Sequence, residues 1–268
     1  MICKLLINVI DMNDKNENTW QVVAVSCCGV SHEKLGMPCQ DAHGWEVNQR
    51  NILVCAVADG AGSASLAEIG STIAVRTSIE AVRSQLTRIL PTTDETYKTV
   101  LVNSLVSTRI AIEAEAKSRD VNIQDMATTL ILVIATSEVI AAIQIGDGAV
   151  VAGDKLKNII PITCPKLGEY INETTFITSS SAIETAQFST WRGEVAYLAA
   201  FSDGLQMLAL KMPEAVPHDP FFTHVFHFLS EMGDAETGQK ELEAFLNSSR
   251  VRDRADDDLT LLLAKLTI

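Results

Sequence analysis

Residues 128–152 read TTLILVIATSEVIAAIQIGDGAVVA, and this stretch decides the fold class. Thr128–Ala135, Val139–Ile145 and Ala149–Ala152 are short runs rich in Ile, Val and Leu, which suit a pleated, half-buried or buried surface. Ser137–Glu138 and Gly146-Asp147-Gly148 separate them, and the second has strong hairpin-turn chemistry. Strands joined by turns this short run antiparallel, because a parallel connection needs a crossover of a dozen or more residues.

Upstream, Ser65–Leu90 carries a long amphipathic pattern stopped by Pro91, and a second helical stretch runs from Asp94 to about Arg119. Their short connection predicts an antiparallel helix pair. Before them, WQVVAVSC (Trp20–Cys27) and ILVCAVA (Ile52–Ala58) are predicted strands. Downstream, short strands are predicted at Phe176–Ile177, Glu184–Phe188 and Val195–Phe201, and a closing strand over Leu259–Ile268. Helices return at Leu205–Leu210, Phe221–Met232 and Glu236–Asn247. Two helical blocks around a run of antiparallel strands give an α+β layered domain. No repeat, low-complexity tract or Pro/Gly/Ser linker divides the chain, so residues 1–268 form one domain, with 1–19 an N-terminal extension or edge strand.

Hydrophobic residues make up 47% of the chain, enough for a sizeable core. The net charge of −13 argues against nucleic acid and against anionic membrane surfaces as partners. The six cysteines form no C-x-x-C pair and suit a reducing cytoplasm. The apolar stretch Ile2–Ile10 falls short of the roughly 20 residues of a membrane span and lacks a cleavage site. The five histidines include no H-E-x-x-H pattern, and His224 and His227 are expected on one helix face.

Acidic residues recur where apolar strands end. AVADGAG (Ala56–Gly62) runs into Asp59, YLAAFSDGLQ (Tyr197–Gln206) into Asp203, and RADDDLTLLLAKL (Arg254–Leu266) opens the last strand with three aspartates. PCQDAHGW (Pro38–Trp45) sets Asp41 between two predicted strands. Taken singly, the first is an Asp-Gly turn, the second a helix N-cap and the third a solvated loop. Together they bring hard oxygen ligands to one end of a sheet, a set that favours Mg²⁺ or Mn²⁺ over zinc.

In this order and spacing, QDA, VADGAG, GDG, FSDG and DDLT resemble the metal-dependent, type 2C serine/threonine protein phosphatases, and GVSHEKLGMPCQDA resembles a bacterial branch of them. The resemblance implies a four-layer α-β-β-α sandwich of two antiparallel sheets flanked by helices, with two Mn²⁺ or Mg²⁺ ions at one end. It assigns Asp59 as the bridging ligand, Gly60 as a carbonyl ligand, Asp203 and Asp257 to one ion, and Asp41 to a role through bound water. The substrate it implies is a phosphorylated protein, the product of a Ser/Thr kinase, hydrolysed by a metal-bridged water. The sequence also departs from the family pattern. Gln40 stands for a glutamate, Ala61 for the DGHG histidine, Met207 for an aspartate and Gly36 for a phosphate-binding arginine, with His32 or Lys34 as substitutes. Asp125 is a third-metal candidate one residue out of register. These departures leave two alternatives: a weakly active or inactive binding module, or a phosphatase of small phosphoesters.

Overall fold

The computed structural model describes residues 19–165 and 174–267, and Ile2–Ile10 lies outside them. Twelve strands are described: β1 (Thr19–Cys27), β2 (Ala42–Val47), β3 (Leu53–Ala58), β4 (Leu130–Ala135), β5 (Val139–Ile145), β6 (Ala149–Asp154), β7 (Ile159–Thr163), β8 (Gln187–Arg192), β9 (Val195–Phe201), β10 (Leu210–Lys211), β11 (Val216–Pro217) and β12 (Leu259–Thr267). Two five-stranded antiparallel sheets result, ordered β1-β12-β9-β6-β7 and β2-β3-β4-β5-β8, with β10 and β11 a small separate ribbon. The described helices are α1 (Val30–Leu35), α2 (Ala67–Leu86), α3 (Asp94–Ser118), α4 (Ala182–Thr185), α5 (Gln206–Ala209), α6 (Asp219–Glu231), α7 (Ala235–Leu246) and α8 (Ser249–Arg252). Among the described residues, no helix is long and apolar enough to cross a membrane.

The four layers follow from strands that are apolar on both faces. Leu53, Cys55 and Val57 of β3 turn inward with Ile131 and Val133, and meet Leu198, Ala200, Leu262 and Ala264 of the opposite sheet. The alternate residues Val54, Ala56, Leu130, Leu132, Ile134 and Ile143 face outward onto α2 and α3 through Ile73, Val82, Leu101, Leu105 and Ile112. On the far side, Val23, Val151, Phe201, Leu261 and Leu263 pack under α6 and α7, against Phe222, Val225, Leu229, Leu242 and Leu246. Period-two alternation survives as a choice between two apolar layers, so all six positions of β3 and of β4 are buried.

The structure corrects three expectations. The Gly146-Asp147-Gly148 turn does not close a hairpin: β5 pairs with β4 and β8, whereas β6 pairs with β9 and β7 in the other sheet. The turn is a corner between sheets. Gly146 has φ +106°, and a Cβ there would come within 2.5 Å of the Thr129 side chain, so only glycine fits. Residues 184–185 belong to α4, and the strand begins at Gln187, where Gln144↔Gln187 starts its pairing with β5. Phe176 and Ile177 lie in a loop instead of a strand, with Ile177 buried beneath α3 and its carbonyl held by Arg109 Nη1 at 2.9 Å.

Candidate metal centre

The acidic strand ends converge. Asp59 follows β3, Asp203 follows β9, Asp257 precedes β12 and Asp41 precedes β2. The Asp59 backbone is clamped: its N–H donates to Thr129 Oγ1 at 2.9 Å, and its carbonyl accepts from Thr128 Oγ1 at 2.9 Å and from the Thr129 N–H at 2.8 Å. Gly60 bridges to Thr128 and donates its N–H to the Gln40 carbonyl at 3.2 Å. Ser202 Oγ donates to Asp41 Oδ2 at 2.7 Å and accepts from the Thr260 N–H at 3.0 Å, tying β2, β9 and β12 at their acidic ends.

Burial and mutual repulsion push these carboxyls upward. Asp41 rises to about 7, first from burial, opposed by the Ser202 and Thr260 hydroxyls and reinforced by Asp258 and Asp203. Burial likewise raises Asp59 well above the ordinary carboxylate range, helped by Asp41, Asp203 and Asp257. Asp203 is raised by burial and by the charges of Asp147 and Asp257. Asp257 is exposed, and its Oδ1 accepts the Asp258 N–H at 2.8 Å. Burial lowers His43 to about 4, leaving it neutral at pH 7 and hydrogen-bonded to Ser26 Oγ at 2.8 Å.

Cation fit can be judged from the oxygens. Gln40 Oε1, Asp41 Oδ1 and Asp203 Oδ1 are buried and have no hydrogen-bond partner. Each unpaired buried acceptor costs about 1–3 kcal/mol. Among the described residues, no Lys, Arg or His forms an ion pair with Asp41, Asp59, Asp203 or Asp257. Oxygen acceptors with no positive side chain among them fit a hard divalent cation.

The other sequence candidates lie apart from this set or beside it. Asp125 accepts the Asn122 N–H at 3.0 Å in a capping box, and its carbonyl accepts the Leu66 N–H. His32 is buried in α1, its Nδ1 3.0 Å from Asp258 Oδ1, while Lys34 of the same helix is exposed. Met207 is 70% exposed on α5. Sequence reasoning missed Asp147, whose charge reaches Asp203 because its turn crosses between sheets. Its Oδ2 accepts from Thr174 Oγ1 at 2.9 Å, and its carbonyl from Gln206 Nε2 at 2.7 Å. The signal was present as a third Asp-Gly pair at a strand end, one that also suits an ordinary hairpin.

Comparison with known proteins identifies the family and the fold. The family model described as protein phosphatase 2C matches residues 28–247. Serine/threonine-protein phosphatase 3 of Escherichia coli is 35% identical over 254 residues, covering 92% of this chain and 98% of that protein. A serine/threonine phosphatase from Staphylococcus aureus shares the fold at a TM-score of 0.62, with 16% identity, covering 98% of this chain and 100% of that one. RsbX, solved in complex with magnesium, superposes at a TM-score of 0.53 with 15% identity, over 95% of this chain and 98% of that one. The chain therefore belongs to the protein phosphatase 2C family, and is a metal-dependent protein serine/threonine phosphatase of the bacterial type.

Proposed function

We propose that Gln40, Asp41, Asp59, Gly60, Asp203 and Asp257 hold two Mn²⁺ or Mg²⁺ ions, and that phosphoserine and phosphothreonine are hydrolysed there. One observation carries the reading: three buried oxygens without partners stand among carboxylates that no basic side chain among the described residues neutralises. When bound, such ions supply a water that ionises near neutral pH and offset the charge of the phosphoryl oxygens. The magnesium bound by RsbX supports the choice of a hard cation.

The chain's own residues organise the site. Ser202 holds one Asp41 oxygen, so the other stays free to face the cluster. Thr128 and Thr129 spend their hydroxyls on the Asp59 backbone, which fixes that carboxyl and leaves neither threonine as a nucleophile. His43, neutral at pH 7 and bonded to Ser26, carries no acidic proton for the leaving group, which leaves water as its proton source. Of the two phosphate-contact candidates, Lys34 is exposed to solvent and His32 is buried beside Asp258, so Lys34 is the better placed to meet a substrate. Asp125, engaged in its own turn, stays outside the two-ion site. The substrates are phosphoproteins made by a Ser/Thr kinase. The described cysteines are all free thiols, which supports a reducing, cytoplasmic setting.

The test is Mn²⁺-dependent hydrolysis of phosphothreonine peptides and of an aryl phosphate by wild type and Asp203→Asn. Turnover with metal that vanishes in the variant is expected, with peptides preferred. A wild type silent at every Mn²⁺ concentration would sink the proposal, and aryl phosphate turnover alone would redirect it to small phosphoesters.

A further inference from the structure

Asp258 is 2% exposed, among the most deeply buried carboxyls described, yet among the described residues no Lys or Arg pairs with it. Its Oδ1 accepts the Gly29 N–H at 2.6 Å, and its Oδ2 accepts the Gln40 N–H at 2.6 Å. His32 Nδ1 lies 3.0 Å from Oδ1, an ion-pair approach without hydrogen-bond geometry. One carboxylate thus ties both ends of residues 29–40, α1 included, to the start of β12. We propose that Asp258 is a positioning residue of the metal centre and that His32 holds it in place. The inference rests on the reading of the acidic end as a cation site.

The consequences run along the backbone. With its N–H anchored to Asp258, Gln40 presents its carbonyl to the Gly60 N–H at 3.2 Å and to the Ser71 hydroxyl at 2.5 Å. Its side-chain Oε1 and the neighbouring Asp41 Oδ1 are two of the three unpartnered oxygens at the acidic end. On its other side, the Asp258 N–H donates to Asp257 Oδ1 at 2.8 Å. Gly204 crosses the Asp258 carbonyl so closely that a Cβ would come within 2.1 Å of it. The four segments that supply the proposed ligands, at 40–41, 59–60, 203–204 and 257, are therefore indexed to one residue, directly or through Gln40. Cys28, His32 and Asp258 offer ligand atoms within 4.8 Å of one another. Both Asp258 oxygens already accept backbone N–H groups, which makes Asp258 the strut of this cluster. Outer partners of this kind typically set metal affinity within a 10–100-fold range.

The experiment is Mn²⁺ titration of the metal-free protein by calorimetry, with thermal unfolding of the metal-free form recorded beside it. Asp258→Asn leaves one carbonyl oxygen for two N–H donors and is expected to weaken Mn²⁺ binding by about 10–100-fold. If that variant does not fold, His32→Ala carries the test, with an expected loss of about tenfold. His32→Asn, which keeps a polar side chain against Asp258, restores most of that affinity. Cys28→Ser leaves it unchanged. A wild type that binds no Mn²⁺ defeats the cation reading itself. Wild-type binding with unaltered affinity in the folded Asp258 and His32 variants overturns only this inference. An equal loss in Cys28→Ser would also overturn it. So would a His32→Ala protein whose inhibition by inorganic phosphate weakens while its Mn²⁺ affinity holds, because His32 would then be a phosphate contact.

Discussion

The space between the two sheets and the acidic end of the same strands are built on opposite rules. Between the sheets, Leu53, Cys55, Val57, Leu198, Ala200 and Leu262 are at most 1% exposed and carry no polar side-chain atom in need of a hydrogen-bond partner beyond one thiol. One residue past β3 and two past β9, Asp59 and Asp203 are pressed together with Asp41 by burial that disfavours their charge. The first region favours the folded state through its own contacts. The second opposes it until something positive arrives. The contrast teaches that stability and metal binding can be perturbed separately, even though they share β3, β9 and β12.

Asp203→Asn is the sharpest test of that separation. Peptide hydrolysis should fall by more than about 100-fold, beyond the loss typical of outer-sphere partners. The metal-free protein should melt no lower than wild type, because a like charge has left the cluster. A large drop in Tm would make the acidic end structural and break the comparison. From the other side, Leu262→Ala should cost about 2–5 kcal/mol in denaturant unfolding. Its Mn²⁺ affinity should stay at the wild-type value in calorimetric titration.

The pH dependence has a definite sign. Asp41 stands at about 7 when folded, against an ordinary carboxylate value of about 3.9. The folded state therefore keeps a proton that the unfolded chain has released, and stability falls as pH rises from about 4 to about 7. Asp59 and Asp203 shift the same way. Denaturant unfolding of the metal-free protein at about pH 5 and about pH 8 should show that loss, with a smaller slope in Asp41→Asn and little or none in saturating Mn²⁺. The smallest expected effect is that of Gln40→Glu, which adds a charge at the buried Oε1 position. Mn²⁺ affinity should tighten by up to about tenfold, because ligand charge count tunes such sites. Unchanged titrations would remove Gln40 from the ligand set.

Much of this was legible in the sequence. β3, β4, β5, β9 and β12 announced themselves as apolar runs, and Asp59 and Asp203 as their acidic ends. β2 did not, because AHGWEV mixes glycine, aromatic and charged residues and every position is only half-buried. Helix α1 has six residues and no side-chain cap, too short for periodicity to register. The corner at Gly146–Gly148 was misleading for a physical reason. β5 and the first five residues of β6 are wholly buried, so alternation could not tell one sheet with a hairpin from two sheets with a crossing. Nor could residue pattern sort the DDD run, from which only the family resemblance picked Asp257. Packing alone separates exposed Asp256 and Asp257 from buried Asp258.

The central claim is that the acidic end is completed by cations, and counting them tests it most directly. Equilibrium titration of the metal-free protein with Mn²⁺ should saturate at two ions per chain, raise the Tm, and lose both ions in Asp59→Asn. Absence of saturable binding, or binding that survives Asp59→Asn intact, would contradict the account.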